Sequence, residues 1–334
     1  MLFRSYDGSS KFPTYSQWGY FPSGSFAWRL SEEPFMAWIR PVVDNLKFRG
    51  SIGSIGNGSV SPYSFTSEMK LSKVTDFVIN GALPTVTSVA STVPDSLTWE
   101  TATTYDAGLD VDLLGSRLSG TFDIYRRVTS DMYTAGATLP GVYGASVPKG
   151  NNAELRTDGW EMSIQWRDQF SLAGKPFSYS VKGTLWDSRT WVTKFNGNDA
   201  KKLGTIANLI ANMGQPDYYE GMELGEMWGY TVVGLYKDWD DIATSATQNF
   251  KQTVNNAVYP GQVKFADLDL NGEIDYLGLS VEDHGDLSII GNSLPRYRYG
   301  LNLNANWNGI GLNVFFQGVG KRDWYPGYDS GYFW

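Results

Sequence analysis

Four oxygen-bearing side chains lie close together in the segment FADLDLNGEIDY and could hold a metal ion. Asp267, Asp269, Asn271 and Asp275 occupy positions 1, 3, 5 and 9 of a calcium-loop pattern, with Gly272 at position 6. Calcium prefers several hard oxygen ligands, and alternate residues of a tight loop can turn their carboxylate and amide oxygens inward. This spacing predicts a calcium site in the loop 267–275, and no other cofactor is indicated.

The calcium pattern is incomplete at its last position. Position 12, where a bidentate Glu is expected, holds Gly278, so binding would need Glu282 or Asp283 to fold back toward the loop. The alternative is a turn in which the Asp and Asn side chains accept hydrogen bonds from their own backbone. The sequence leaves both interpretations open.

Catalytic arrangements are not indicated. Adjacent acids occur at Glu32 and Glu33 and within 238–241, but glycoside hydrolysis needs two carboxylates at a fixed separation in a cleft. The one histidine, His284, has no Ser nucleophile motif beside it, and the chain contains no Cys. We therefore expect a protein that is not an enzyme, with a secreted glycosidase as the competing class.

Composition and charge narrow the class of protein further. The net charge is −8 and the pI is near 4.8, which opposes binding to the polyanionic backbone of nucleic acid. Aromatic residues make up 15% of the chain and 37 residues are Gly, a mixture that favours strands and turns over helices. No stretch approaches the ~18 apolar residues of a membrane-spanning helix, but a strand of a membrane β-barrel needs only ~9 to 11 residues. An all-β fold is expected.

Strict alternation of apolar and polar residues is the main structural signal. In GWEMSIQWR, every second residue from Trp160 to Trp166 is apolar, and polar or charged residues fill the other face. The same period of two recurs in YDAGLDVDLL, RLSGTFDIYR, FSYSVKGTLW and RYGLNLNANW. The polar positions expected to line a lumen include Asp106, Asp110, Asp123 and Lys182.

The connections between these strands fall into two classes. Short turns are expected at 113–117, 171–175 and 307–311, whereas long mixed stretches lie at about 54–95, 128–156 and 190–295. Short turns at one rim and long loops at the other are typical of an outer-membrane β-barrel. The alternative from the same alternation is a soluble, secreted β-sandwich that binds carbohydrate, with its apolar faces packed together.

The longest connecting stretch contains two further features. KKLGTIANLIANMG, residues 201–214, has helical spacing on a face formed by Leu203, Ile206, Ala207, Ile210 and Met213. Aromatic residues follow it, and these could stack on sugar rings or pack the loop against itself. They are Tyr218, Tyr219, Trp228, Tyr230, Tyr236 and Trp239.

Segments along most of the chain resemble, in the same order, the barrel region of the SusC/RagA family of TonB-linked outer-membrane proteins. They are YDGSSKF (6–12), WGYFPSGSFAWRLSEEPFM (18–36), NLKFRGSIGSIGN (45–57), LTWETATTYDAGLDVDLLGSRLSGTFDIYRR (97–127), ELRTDGWEMSIQWRD (154–168), FADLDLNGEID (265–275) and IIGNSLPRYRYGLNLNANWNGIGLNVFFQGVGKRD (289–323). We call the loop 267–275 the acidic loop. The family usually has D-x-N-G-D-G-x-I-D at this place, and Leu270 and Glu273 depart from that pattern.

The resemblance implies an antiparallel transmembrane β-barrel of ~22 strands with long extracellular loops. Residues 1–334 are expected to form part of that barrel domain, with the plug, the signal peptide and the final strands outside them. The implied function is TonB-dependent import of a glycan, peptide or other nutrient oligomer across the cell outer membrane. The implied partners are a SusD-like surface lipoprotein, the TonB complex acting through the plug, and outer-membrane lipid.

Overall fold

The computed structural model of the chain describes residues 1–67, 69–88, 93, 97–136, 142, 147–248 and 258–325. The chain divides into two compact units. We call Met1–Gly197 with Arg296–Gly320 the sheet unit, and Asn198–Pro295 with Lys321–Trp334 the insert unit. Among the described residues, no helix is long and apolar enough to cross a membrane.

The described elements are mostly strands. In chain order they are β1 (Leu2–Gly8), β2 (Trp18–Arg29), β3 (Val43–Asn57), β4 (Lys70–Lys73), β5 (Thr85–Ser88), β6 (Glu100–Leu113), β7 (Leu118–Ala135), β8 (Lys149–Leu172), β9 (Lys175–Phe195), α1 (Ile206–Ala211), β10 (Glu226–Tyr230), β11 (Val232–Leu235), α2 (Trp239–Thr244), β12 (Thr247–Gln248), β13 (Val263–Phe265), β14 (Glu273–Ile274), β15 (Leu287–Asn292), β16 (Arg296–Trp307) and β17 (Ile310–Lys321). Short 3-10 helices lie at Thr14–Ser16, Leu30–Glu32 and Pro34–Ile39.

Nine strands of the sheet unit form one sheet in the order β1-β2-β3-β6-β7-β8-β9-β16-β17. Pairing is antiparallel from β1 through β16. Neighbours in the sheet are neighbours in sequence wherever the connection is short, and β16 joins β9 after the insert unit. This meander of hairpins confirms the expected all-β, antiparallel fold of a barrel that is only partly closed in this chain.

The register sorts the side chains of the sheet onto two different faces. Met162 of β8 lies opposite Phe122 of β7 and Leu185 of β9. The next residue, Ser163, lies opposite Thr121 and Thr184. Directly paired residues share a face. We therefore call the face of Met162 the apolar face and the face of Ser163 the polar face.

Large side chains on the apolar face remain exposed. Phe26 is 58% exposed, Phe122 is 44% exposed and Ile124 is 51% exposed. In a β-sandwich these side chains would be packed against a second sheet. Within the described residues the sheet unit is therefore not the sandwich that the alternation also allowed.

The short turns lie where the sequence predicts them. Ala173 and Gly174 both have positive φ, at 48° and 73°, and so do Asn308 and Gly309, at 45° and 83°. Two consecutive residues in this conformation make the type I′ turn that suits the twist of a hairpin. The expected turns at 171–175 and 307–311 are confirmed.

The strands beside the expected long stretches are longer than the alternation indicated. β7 continues to Ala135 and β8 begins at Lys149, so most of the stretch expected as a loop at 128–156 is strand. β8 has 24 residues and β9 has 21, about twice the ~9 to 11 needed to cross a bilayer. The alternation of apolar and polar residues covers only the part of each strand that has an apolar face. Beyond it the strands continue with mainly polar residues, so the alternation could not show where the strands end.

The buried core of the sheet unit lies at the long-loop end of the strands. Phe12, Val60 and Leu97 form a cluster, and Trp99 stacks on Phe12 with ring centroids 4.8 Å apart. Trp99 also donates from Nε1 to the backbone oxygen of Ser16 at 3.0 Å. The ring of Trp99 is therefore part of this core.

The insert unit contains small sheets and two short helices. β10 pairs with β15 and β11 with β13, both antiparallel, and β12 pairs with β14 in parallel. Its buried apolar side chains are Leu203, Leu209, Tyr219, Met222, Met227, Trp228, Tyr236, Ile274 and Leu287. The long connection at 190–295 is thus largely a folded unit and not an open loop.

The helix expected at 201–214 is shorter and faces differently. α1 begins after Thr205, whose side chain accepts from the backbone N–H of Asn208. Met213, with φ of 57°, ends the helical region and is 48% exposed, whereas Leu209 is only 5% exposed. The expected apolar face included Met213 and omitted Leu209. It is wrong because α1 ends at Ala211, so that Met213 lies beyond the helix and Leu209 is the residue that the helix buries.

Candidate functional site

The polar face of the nine-stranded sheet brings together the residues that were expected to line a lumen. Asp106 lies opposite Tyr125, and Asp123 lies opposite both Gly108 and Glu161. These direct pairs lie on one face with Thr121, Ser163 and Asp110. Lys182 is opposite Gln165 and Asn302 on the same face. The period-2 prediction of facing is confirmed for all four positions.

Charged residues of three neighbouring strands form a cluster on the polar face. Arg49 Nη2 lies 2.8 Å from Asp110 Oδ1 and 2.9 Å from Asp123 Oδ1. Lys47 Nζ lies 3.4 Å from Asp110 Oδ2. We call Lys47, Arg49, Asp110 and Asp123 the Arg49 cluster. The side chains of Arg49, Asp110 and Asp123 are 31%, 23% and 21% exposed. Ion pairs this accessible contribute only ~0 to 1 kcal/mol each, so the charged groups of the cluster can also bind water or a polar ligand at little cost in stability.

Hydroxyl and amide groups continue the polar face toward the short turns. Thr121 and Ser163 share a hydrogen bond of 2.9 Å, and Asn304 Nδ2 donates to Ser180 Oγ at 3.3 Å. Near them is a cavity of about 500 Å³ lined mainly by polar side chains that include Gln165 and Asn306. Groups of this kind bind water, sugar hydroxyls or peptide amides.

The acidic loop of the insert unit places its predicted ligands only partly together. Carboxylate oxygens of Asp267, Asp269 and Asp286 all lie within 4.8 Å of one another. Asp275 is not in this group; its Oδ1 accepts from the backbone N–H of Leu277 at 3.2 Å, and its Oδ2 accepts from Asn271 Nδ2 at 3.4 Å. The residue that reaches back to the loop is Asp286, not Glu282 or Asp283 as the sequence indicated.

The same loop also makes the hydrogen bonds of an Asx turn. The backbone N–H of Asn271 donates to Asp269 Oδ1 at 3.1 Å, and that of Gly272 donates to Asp267 Oδ2 at 2.9 Å. Asn271 Oδ1 accepts from the N–H of Glu273 at 2.7 Å. These contacts fit the metal-free alternative, since each of the three side chains accepts a hydrogen bond from a backbone N–H of the same loop.

Two carboxylates distinguish this loop from an ordinary turn. Asp286 is fully buried and accepts from the N–H of Leu268 at 2.5 Å and from the N–H of Asp275 at 2.9 Å. Asp267 Oδ1 is shielded from solvent and accepts no hydrogen bond among the described residues. A buried oxygen without a donor is costly unless a cation satisfies it. The three carboxylates therefore have the hard-oxygen chemistry that calcium requires.

Most of the loop aromatics are structural. Tyr219 and Trp228 are 5% and 7% exposed, and both donate to the buried carboxylate of Glu226, Trp228 from Nε1 at 2.9 Å. Burial, reinforced by the hydrogen bond to Glu226, raises the pKa of Tyr219 above its ordinary value. Tyr236 is also buried, whereas Tyr218 and Trp239 are 58% and 61% exposed. Tyr230 is half-buried, and its ring centroid lies 5.4 Å from that of Phe265. Packing therefore explains these four rings, and the exposed rings of Tyr218 and Trp239 could stack on a ligand.

Known proteins of one family are similar to this chain along most of its length. The family model described as TonB dependent receptor-like, beta-barrel matches residues 4–282. TonB-dependent receptor P3 of Formosa agariphila is 30% identical over 313 residues, which are 93% of this chain and 29% of that protein. TonB-dependent receptor SusC of Bacteroides thetaiotaomicron is 27% identical over 201 residues, which are 58% of this chain and 19% of that protein.

Solved structures with the same fold are much longer than this chain. The RagAB peptide importer in its closed-closed state matches with a TM-score of 0.65 and 17% sequence identity, over 94% of this chain and 30% of that chain. The RagAB peptide transporter matches with a TM-score of 0.63. This chain spans less than a third of the length of the curated relatives and solved chains that it matches.

Proposed function

Because this chain belongs to the TonB dependent receptor-like β-barrel family, we propose that its sheet unit forms part of the wall of an outer-membrane importer for nutrient oligomers. β-Barrels of this family are outer-membrane proteins and act as receptors and transporters, not as enzymes. The observation that carries the proposal is the separation of apolar and polar side chains onto opposite faces of the sheet. An apolar face suits acyl chains, and a polar face suits a wet lumen.

In this proposal cargo passes along the polar face. The Arg49 cluster and the amides near Asn304 supply charged and neutral hydrogen-bonding groups at successive heights of the wall. Sugar hydroxyls and peptide amides both need such groups when they lose water. The proposed cargo is therefore a glycan or a peptide. A protein similar in fold is described as a peptide importer, and a relative carries the name SusC.

TonB supplies the energy for import in this proposal, and a SusD-like surface lipoprotein covers the outer end of the barrel. The support is the name shared by the curated relatives, TonB-dependent receptor, and the pairing of components in the name RagAB. The long connections are placed on the extracellular side because membrane barrels have short periplasmic turns and longer extracellular loops.

The acidic loop is proposed to bind one calcium ion. Asp267, Asp269 and Asp286 would hold it, with backbone oxygens or water completing the six to eight ligands that calcium takes. The support is the buried Asp267 Oδ1, which no described hydrogen bond satisfies. The ion would fasten the loop to the strand β15 that follows Asp286, and it would have no part in transport chemistry.

A pair of adjacent residues tests the placement of the two faces. The chain has no native Cys, so Phe122→Cys and Asp123→Cys each add a single thiol to it, one on the apolar face and one on the polar face. In the intact protein in outer membranes, a water-soluble maleimide is expected to label Asp123→Cys and a lipid-soluble maleimide to label Phe122→Cys. Labelling of both thiols by the water-soluble reagent alone would contradict the membrane wall.

A further inference from the structure

Aromatic rings lie on the polar face of the sheet, where the alternation alone gives no reason for them. Tyr125 of β7 is the direct partner of Asp106 on that face. Trp186 of β9 is the direct partner of Glu161, which belongs to the polar face with Asp123. Because directly paired residues share a face, both rings are on the side that the proposed function gives to water.

A third ring on the polar face belongs to Phe315 of β17. A Cβ on Gly300 of β16 would lie 3.4 Å from Phe315 Cε2, so the ring lies beside this glycine. Gly300 is the direct partner of Thr184, a residue of the polar face. Asn313, two residues before Phe315, donates from its side chain to Asn304 on the same face. Phe315 is 59% exposed, so its ring is accessible from the polar side.

Tyr125 also lies over a glycine of the next strand. A Cβ on Gly159 of β8 would lie 2.4 Å from Tyr125 Cζ, so the ring occupies the space that a side chain would need. In the sheet order β7-β8-β9-β16-β17, Tyr125 therefore leans from β7 toward β9, and Phe315 leans from β17 toward β9. The two outer rings approach the strand that carries Trp186.

Trp186 lies between the two leaning rings. Its neighbours on the polar face of β9 are Thr184 and Ser188, which are the direct partners of Gly300 and Gly159. Trp186 is therefore a diagonal neighbour of both glycines, at about 7–8 Å by strand geometry. The three rings follow one another across five adjacent strands. We call Tyr125, Trp186 and Phe315 together the aromatic row.

Two charged side chains flank the centre of the aromatic row. Glu161 and Arg298 are the direct partners of Trp186, on β8 and β16. Neither side chain makes an ion pair or a hydrogen bond with another described residue. Glu161 is exposed, and Arg298 and Trp186 are half-buried. A hydrogen-bond acceptor and a hydrogen-bond donor thus stand on either side of an accessible indole ring.

A sugar ring is the ligand that uses both kinds of group. A pyranose presents C–H groups on its faces and hydroxyls around its edge, so an aromatic ring contacts its face while polar side chains bind its edge. Glu161 and Arg298 together carry no net charge, which suits an uncharged sugar. A peptide backbone has no apolar face that repeats at every residue.

We propose that the aromatic row binds successive pyranose rings of an uncharged glycan. Trp186 stacks on the central ring, Glu161 accepts from its hydroxyls and Arg298 donates to them. Tyr125 and Phe315 contact the sugars on either side. The inference rests on the proposed function, since it requires the polar face to border a lumen, and it narrows the proposed cargo to a glycan.

The test measures binding to the intact protein in detergent by isothermal titration calorimetry. The probes are cellohexaose, maltohexaose and mannohexaose, with a Gly/Ser hexapeptide for comparison. The row variant carries Trp186→Leu and Phe315→Leu. The matched control carries Trp160→Leu and Phe122→Leu, the same two changes on the apolar face. Folding of each variant is verified by heat-modifiable gel mobility.

At least one hexasaccharide is expected to bind the wild type and the control about tenfold more tightly than the row variant, because two stacking rings are lost. The hexapeptide should not distinguish the row variant from the wild type. The inference is overturned if no hexasaccharide binds the wild type, if the row variant binds it equally well, or if the hexapeptide loses as much affinity as the glycan does. Equal glycan affinity with a lower thermal midpoint would show that the rings only cover glycines.

A second measurement keeps all three rings and decides the matter if the row variant does not fold. Ser188→Cys places a thiol between Tyr125 and Trp186 on the polar face, and Ser119→Cys places one at the short-turn end of β7. The bound hexasaccharide should slow labelling of Ser188→Cys by a water-soluble maleimide and leave Ser119→Cys unchanged. Equal rates with and without the sugar at Ser188→Cys would overturn the inference. Labelling at 122 and 123 reports separately on the proposed function.

Discussion

Asp286 holds a carboxylate oxygen within 4.8 Å of a carboxylate oxygen of Asp267 and ties together the two ends of the acidic loop. Asp286 is fully buried, and its oxygens accept from the N–H groups of Leu268 and Asp275, one on each side of the turn. The loop therefore closes over a buried negative charge. A cation bound here would stabilise the closed form, because it would bind the folded loop and not the unfolded chain.

Replacing Asp286 should remove the response to calcium. In the intact protein, calcium at 100 times its dissociation constant should stabilise the wild-type loop by about 2.7 kcal/mol relative to the chelated protein. Asp286→Asn should lose most of this difference, because a neutral amide oxygen is a weaker ligand than a carboxylate. Glu282→Gln, in the same segment, should keep it. The measurement is the thermal midpoint with calcium and with chelator, and a wild type that is insensitive to calcium would disprove the site.

The ion pair between Asp241 and Lys264 predicts a pH dependence confined to acid. The hydrogen bond from Lys264 Nζ, at 2.8 Å, and a backbone N–H from Lys237 lower the pKa of Asp241 below its ordinary value. A lowered pKa contributes stability that is present above the unfolded pKa of about 3.9 and is lost as pH falls through the folded pKa. The stability difference between wild type and Asp241→Asn should therefore be full at pH 7 and shrink below pH about 4.

Asp240 provides the control for this pH dependence, because it is exposed and adjacent to Asp241 in α2. Asp240→Asn should follow the wild-type stability curve across the acid range. Denaturant unfolding of the intact protein, followed by a fluorophore placed in the insert unit, measures both curves. A wild type and an Asp241→Asn variant that differ equally at pH 7 and at pH 3 would show that the difference does not come from this carboxylate.

The Arg49 cluster predicts weak coupling energies. Arg49→Gln should destabilise the intact barrel by only ~0.5 to 1 kcal/mol, because its pairs with Asp110 and Asp123 are partly exposed. Asp123→Asn in the Arg49→Gln background should recover part of this loss, since it removes one of two like charges left side by side. A double-mutant cycle by denaturant unfolding gives the coupling. A coupling of several kcal/mol would mean that water is excluded from the cluster, which would contradict the proposed water-filled lumen.

The two faces of the sheet were predictable because alternation is a local property. Asp110 and Lys182 are on the polar face for the same reason that Met162 is on the apolar face, and a period of two needs no knowledge of the partner strand. The return of Asp286 to the acidic loop was not predictable in this way. It depends on how β15 pairs with β10, a contact between segments far apart in sequence.

Local conformation explains the error at α1. The sequence shows an apolar period that continues through Met213, but the backbone there has a left-handed φ of 57°. Gly204 and Gly214, with φ of 99° and 82°, flank the helix on both sides. Glycines at both ends of the segment were the available signal that the helix is short.

Gly108 is expected to be required for the charge cluster on the polar face. A Cβ at this position would overlap Asp123 Oδ1 and would lie 2.9 Å from Arg49 Nη2, so Gly108→Ala must displace the ion pair that these two side chains form.

Gly183, also in a strand of this sheet, has no atom within 4 Å of the corresponding Cβ position, and its φ is not in the positive region that favours Gly. Gly183→Ala is therefore the matched control. Gly108→Ala should cost at most about 1 kcal/mol, because the atoms that must move are the ends of two flexible, partly exposed side chains. Gly183→Ala should be neutral or slightly stabilising, since Ala loses less backbone freedom than Gly on folding. The thermal midpoints of the two intact variants in detergent test this difference, and equal midpoints would show that the Arg49 and Asp123 side chains move aside without cost.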